Sequence, residues 1–199
     1  MVNALYDMAK YTLWGVLGTV WRMRVRGAEN VPKTGPLIVA CNHVSYLDPP
    51  ALGTACPRRI EYMAKKQLFD IPVLGPLISA LGAYPVDREG SAAAGIKRSV
   101  EVLRRGGAIG IFPEGTRNLE GSTQARAGVA LLASLARAPV VPARIVGTSQ
   151  AKRLHRISVY FGPPMTLPLD RKATREEMAN FTEEVMGAIR ALPERFERT

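Results

Sequence analysis

Short apolar runs broken by polar turns recur along the chain at residues 37–41, 59–64, 83–86, 108–112, 140–146 and 157–161. Runs of this length, bounded by Gly, Pro or charged residues, predict buried strands. Between them the period changes. Residues 91–105 set Ile96, Val100 and Leu103 on one stripe and Lys97, Arg98, Arg104 and Arg105 elsewhere, and Gly106-Gly107 ends the pattern. That is the spacing of an amphipathic helix with a glycine stop. Residues 125–138 predict a helix of small and apolar residues, and 74–81 a shorter one. Thr174-Arg175-Glu176-Glu177 spells a capping box, which opens a C-terminal helix carrying Met178, Phe181, Val185, Ile189 and Leu192. Strands alternating with helices predict the α/β class: a single domain with a mixed, mostly parallel central sheet flanked by helices.

The first segment reads differently. Leu5, Met8, Leu13, Val16, Leu17 and Val20 fall at helical spacing, Tyr6, Tyr11, Trp14 and Trp21 add amphipathic rings, and Arg22, Arg24 and Arg26 follow at once. The uncharged stretch from Tyr11 to Trp21 falls well short of the roughly 20 residues that a membrane span needs. It lacks the charged start and the cleavage site of a secretory signal. The expectation is therefore an amphipathic membrane-interface helix over 1–26, lying on an anionic surface, and a globular domain over 27–199. The competing reading packs the same helix on the domain's own core.

At 199 residues and 47% hydrophobic content, the chain suits one domain with a sizeable core. The net charge of +10 favours anionic partners: nucleic acid, lipid headgroups or phosphorylated substrates. No helix-turn-helix, zinc-finger or RNP pattern accompanies the charge, so no nucleic-acid partner is expected. Cys41 and Cys56 lie at no metal-ligand spacing from each other or from a histidine. No metal site is expected, and a reduced cytoplasmic setting is.

Candidate chemistry gathers at strand exits. The run 37–41 leads into Asn42-His43-Val44-Ser45-Tyr46-Leu47-Asp48. A histidine with an aspartate nearby can work as a general base, the carboxylate fixing the tautomer and stabilising the imidazolium. Ser45-x-x-Asp48 also spells a capping box, in which Asp48 would serve only backbone donors. Cys41 ends the apolar run and reads as packed in the strand. A second apolar run ends in Phe112-Pro113-Glu114-Gly115-Thr116-Arg117. Here Gly115 permits a tight turn around an anion, and Arg117 could grip a phosphate with two N–H groups. A third ends in Asp87-Arg88-Glu89, either a solvated ion-paired turn or a phosphate ligand. His155 sits among positive charge with no carboxylate nearby and reads as a solvated loop residue. Polar clusters at the exits of separate strands suggest one shared site.

These residues carry a family resemblance. Asn42 to Asp48 resembles the NHxxxxD block of the glycerolipid acyltransferases, and Phe112 to Arg117 matches their FPEGTR block at every position. Gly82 to Arg88 resembles the second block, more loosely because of Pro85 and Asp87, and Val141-Pro142-Ala143 resembles the fourth. The nearest likeness is to bacterial lysophosphatidic acid acyltransferases. The resemblance implies transfer of a fatty acyl group from a thioester, acyl-CoA or acyl carrier protein, to the free hydroxyl of lysophosphatidic acid, with no cofactor. Another lysophospholipid or a lyso-aminolipid is the alternative acceptor. It implies His43 as general base oriented by Asp48, Arg88 on the acceptor's phosphate, and Glu114, Gly115, Thr116 and Arg117 lining the substrate site. It also implies a peripheral or monotopic enzyme on the cytoplasmic face of the cell membrane.

Overall fold

The computed structural model describes residues 2–86, 92–114, 128–167, 171 and 173–194. In chain order the elements are α1 (Val2–Val20), β1 (Arg24–Arg26), β2 (Leu37–Cys41), α2 (Asp48–Ala55), β3 (Ile60–Lys65), α3 (Leu74–Ala80), β4 (Ala83–Val86), α4 (Ala92–Arg104), β5 (Ala108–Ile111), α5 (Gly128–Ala136), β6 (Val140–Val146), β7 (Ser158–Phe161) and α6 (Arg175–Ala191). The strands form one sheet in the order β1-β7-β6-β2-β5-β3-β4. Neighbours run parallel except β6 and β7, which pair antiparallel.

All five residues of β2 are buried, because helices cover both sheet faces. Alternation along the strand divides the core in two. Leu37, Val39 and Cys41 pack with Leu17 of α1 and Leu52 of α2. Ile38 and Ala40 face the other way, towards Leu103 of α4, Leu132 of α5 and Val185 of α6. The continuous apolar run in the sequence is thus a strand buried on both sides. Helix α6 begins with the predicted capping box: Thr174 Oγ1 accepts from the N–H of Glu177, whose carboxylate accepts from the N–H of Thr174 at 2.7 Å. Helix α1 docks Tyr6 and Leu17 into the core and leaves Leu5, Met8 and Tyr11 exposed. The segment expected to be an interface helix is therefore a helix with one face on its own domain and another apolar face towards solvent. The sheet also draws in Arg24–Arg26 as an edge strand.

Strands β2 to β6 all point the same way, which gives the sheet two unlike ends. Chain turns at the lower end, where these strands begin, are tied together by one side chain. The Arg58 guanidinium donates to the carbonyls of Pro32 at 3.0 Å, Gly35 at 2.9 Å and Gly106 at 2.8 Å. The polar clusters singled out in the sequence belong to the upper end, where these strands finish.

Candidate active site

Strands β2 and β5 are direct neighbours, Ala40 opposite Ile111, so their exits open side by side. At the end of β2 the ladder to β6 stops at Cys41 opposite Ala143. The Asn42 side chain then takes over. Its amide donates to the carbonyl of Ile145 at 2.9 Å and its oxygen accepts from the N–H of Ile145 at 2.7 Å. By imitating a backbone rung, Asn42 satisfies β6 while its own backbone peels away to carry His43.

His43 Nδ1 lies 2.9 Å from Asp48 Oδ2. The same oxygen accepts from the N–H groups of Val44 and Ser45, each at 2.7 Å. Oδ1 accepts from the hydroxyl of Thr148 at 2.6 Å. Only donors surround this fully buried carboxylate, so the imidazole must present Nδ1–H to it. Nε2 is then the basic nitrogen, and it has no protein partner among the described residues. The imidazole is 17% exposed, enough to meet a substrate. Its ring stacks on Phe112, with centroids 4.4 Å apart and planes inclined by 29°, and Phe112 in turn lies 6.3 Å from the ring of Tyr62. Gly110 makes room for this stack, since a Cβ there would fall 2.2 Å from Tyr62 Cε1.

Asp48 orients His43, and the capping-box reading is only half realised, since Ser45 Oγ accepts from the N–H of Leu47 and not from that of Asp48. Its bond to the N–H of Ser45 is the back-reaching half of a capping box, and the same atom holds His43. Helix α2 starts at Asp48 itself, two residues past the Tyr46 start that a Ser45 cap implies, because Pro49 and Pro50 supply the fixed φ that a first turn favours. Glu114 is buried beside the loop, and its Oε2 accepts from the backbone N–H of His43 at 3.2 Å. The shared site expected from two strand exits thus exists: Glu114, from the end of β5, holds the backbone from which the imidazole projects. Arg88, Gly115, Thr116 and Arg117 lie outside the described residues. Cys41 points into the core, where burial and the nearby carboxylates of Asp48 and Glu114 push its thiol well above the usual range, so it is no nucleophile. His155 is exposed in the loop after β6, as expected.

Two contributors escaped the sequence reading. Thr148 follows Gly147 at the exit of β6, the strand beside β2. The strand-exit rule that found His43, applied to residues 140–146, would have found it. Gly147 is required there: its φ is +93°, and a Cβ would fall 2.1 Å from the carbonyl oxygen of Arg156. The role of Asn42 becomes visible only with the strand register.

An Acyltransferase family model matches residues 22–146. The chain belongs to that family. Members similar to it include the 1-acyl-sn-glycerol-3-phosphate acyltransferase of Bacillus subtilis, 30% identical over 98% of this chain and 100% of that protein. The Streptococcus pneumoniae enzyme of the same name is 27% identical over 92% of this chain and 69% of that one. Among solved structures, the crystal structure of PlsC, the 1-acyl-sn-glycerophosphate (LPA) acyltransferase from Thermotoga maritima, superposes with a TM-score of 0.71 at 25% identity. It covers 96% of this chain and 84% of that one. The match to the family runs from the turn after α1 to the end of β6 and takes in all four blocks noted in the sequence.

Proposed function

We propose that the protein acylates lysophosphatidic acid to phosphatidic acid, drawing the acyl group from acyl-CoA or an acyl carrier protein thioester. The observation that carries this reading is the 2.9 Å contact of His43 Nδ1 with Asp48, which leaves Nε2 as a base at the open end of the sheet. The acceptor's hydroxyl gives its proton to Nε2 as its oxygen attacks the thioester carbonyl. Asp48 stabilises the imidazolium that forms. When the tetrahedral intermediate collapses, the C–S bond breaks and the sulfur leaves with the proton from Nε2. No acyl-enzyme is involved. Arg88 holds the acceptor's phosphate, and Glu114 to Arg117 line the substrate site, with Glu114 also fixing the His43 backbone. The reaction runs without a cofactor at the cytoplasmic face of the cell membrane, where the exposed apolar face of α1 lies against an anionic surface. Among the described residues no helix is long and apolar enough to cross a membrane.

The test is direct. Purified protein, acyl-CoA or acyl carrier protein thioester, and lysophosphatidic acid should give phosphatidic acid by mass spectrometry. His43→Ala should lower the rate by about 10²–10⁴-fold or more. An unimpaired His43→Ala protein would end this reading. Other lysolipids in the same assay decide the acceptor, and Arg88→Ala should weaken only those that carry a phosphate at the reactive end.

A further inference from the structure

We propose that the upper end of the sheet is itself a bilayer-docking surface, formed by four separate turns around the mouth of the His43 site. The inference rests on the lipid acceptor proposed above and adds which part of the molecule meets the lipid. Strand direction places the turns. The α1–β1 turn, the β2–α2 loop, the segment after β3 and the β6–β7 loop all lie at the end where β2, β3 and β6 finish. Three of them expose a large apolar side chain, and Val20 at the end of α1 borders the fourth, so that the set is Val20, Tyr46, Val73 and Leu154. The last three are 71%, 82% and 64% exposed. Turns at the lower end, residues 31–36, 105–107 and 137–139, expose none.

Backbone strain points to the same places. Of the four non-glycine residues with positive φ among those described, Arg22, Val73 and Leu154 belong to these upper turns, and the fourth, Arg137, belongs to a lower one. A β-branched residue at φ +69° is a genuine outlier. Val73 adopts it with its side chain turned to water, where no internal packing accounts for the strain. Strained residues held in this way cluster at functional surfaces.

Charge commits the surface to an anionic bilayer. Arg22, Lys65, Lys66, Lys152 and Arg153 are exposed in or beside the same turns. Among the described residues of those turns, Asp70 is the one exposed carboxylate. Apolar side chains within a basic rim suit the boundary between acyl chains and acidic headgroups. A membrane seated there meets His43 end-on, so that a lysolipid could present its hydroxyl while its acyl chain remains in the leaflet. The upper end also adjoins the C-terminal end of α1, whose exposed apolar face continues the surface.

The experiment compares wild type with a Val73→Asp/Leu154→Asp double variant. Binding is measured by co-sedimentation with phosphatidylcholine vesicles, with and without phosphatidylglycerol. Acyl transfer is measured on a short-chain lysophosphatidic acid dissolved as monomer. Wild type should bind the phosphatidylglycerol vesicles. The double variant should bind at least about tenfold more weakly, since two apolar insertions are replaced by charges, and should acylate the soluble acceptor at the wild-type rate. Leu135→Asp, on α5, should change neither. In Val73→Trp, emission should move to shorter wavelength on vesicle addition, relative to wild type, and be quenched by brominated acyl chains. Undiminished binding by the double variant, or no lipid response from Val73→Trp, would overturn the docking surface and leave the chemistry intact. Loss of soluble-acceptor activity in the wild type would instead remove the proposed function.

Discussion

At the scale of single residues the site depends on one buried carboxylate and the donors that share it. Four donors converge on Asp48, and each fixes a different part of the neighbourhood: the imidazole, the two loop N–H groups, and the exit of β6 through Thr148. Thr148→Val keeps the shape and removes the hydroxyl, leaving Oδ1 unpaired in a buried place. The expected result is a kcat lower by on the order of ten- to a hundredfold, equivalent to roughly 1–3 kcal/mol of lost orientation. KM for lysophosphatidic acid should hardly move, and Thr148→Ser should recover most of the rate. A purely structural Thr148 would lower Tm in the valine variant and leave kcat per folded molecule unchanged. What the sequence made legible at this scale was the pair His43 and Asp48, because their spacing at a strand exit implies contact. It could not show that Asp48 holds His43 and the loop N–H groups of Val44 and Ser45 with the same atom. Nor could it show that Asn42 completes the β6 ladder, because that depends on a neighbour distant along the chain.

Elements were more readable than contacts. Strand β2 and strand β6 have the bounds read from apolar runs, and α6 begins at the predicted cap. Capping is local chemistry, so sequence order suffices to find it. Thr174→Ala should destabilise the fold by about 1 kcal/mol in urea titration. The same cap responds to pH. Hydrogen bonds from the Arg171 side chain and then from the Thr174 backbone draw the Glu177 carboxyl down to about 2. A carboxyl whose folded pKa is depressed stabilises the fold above its unfolded value and ceases to do so as pH falls through the folded one. The Tm difference between wild type and Glu177→Gln should therefore be constant near neutrality and shrink between the ordinary carboxylate range and about pH 2. A difference that grew on acidification would contradict the pairing. The β1 strand was not legible in the sequence. Three residues, Arg24–Arg26, show a burial pattern set by the edge position they take beside β7, and no internal periodicity announces it.

Across the whole molecule, burial on both faces makes the central strand the most sensitive element. Ile38→Ala removes apolar volume from the layer between β2 and helices α4 to α6, and should cost about 2–5 kcal/mol by urea titration. The net charge of +10 acts over a longer range. Adding salt should weaken binding to phosphatidylglycerol vesicles, because screening shortens the reach of the basic rim to a few ångströms at high ionic strength. Binding insensitive to salt would mean that apolar insertion alone holds the protein at the surface. Class and layering followed from pattern, since alternating strands and helices leave few ways to cover a sheet. The arrangement of exposed apolar side chains around one end did not follow from pattern, because it requires strand direction before scattered turns become a single rim.

The stapling of the lower turns by Arg58 has a practical corollary. Sequence variation aimed at new acyl or headgroup preferences can be confined to the opposite end, provided that the ties made there by Asn42, Asp48, Glu114 and Thr148 are kept. A combinatorial library built on those loops, with Arg58 and the three carbonyls it gathers left intact, should return variants that differ widely in selectivity while their melting behaviour stays close to the parent's.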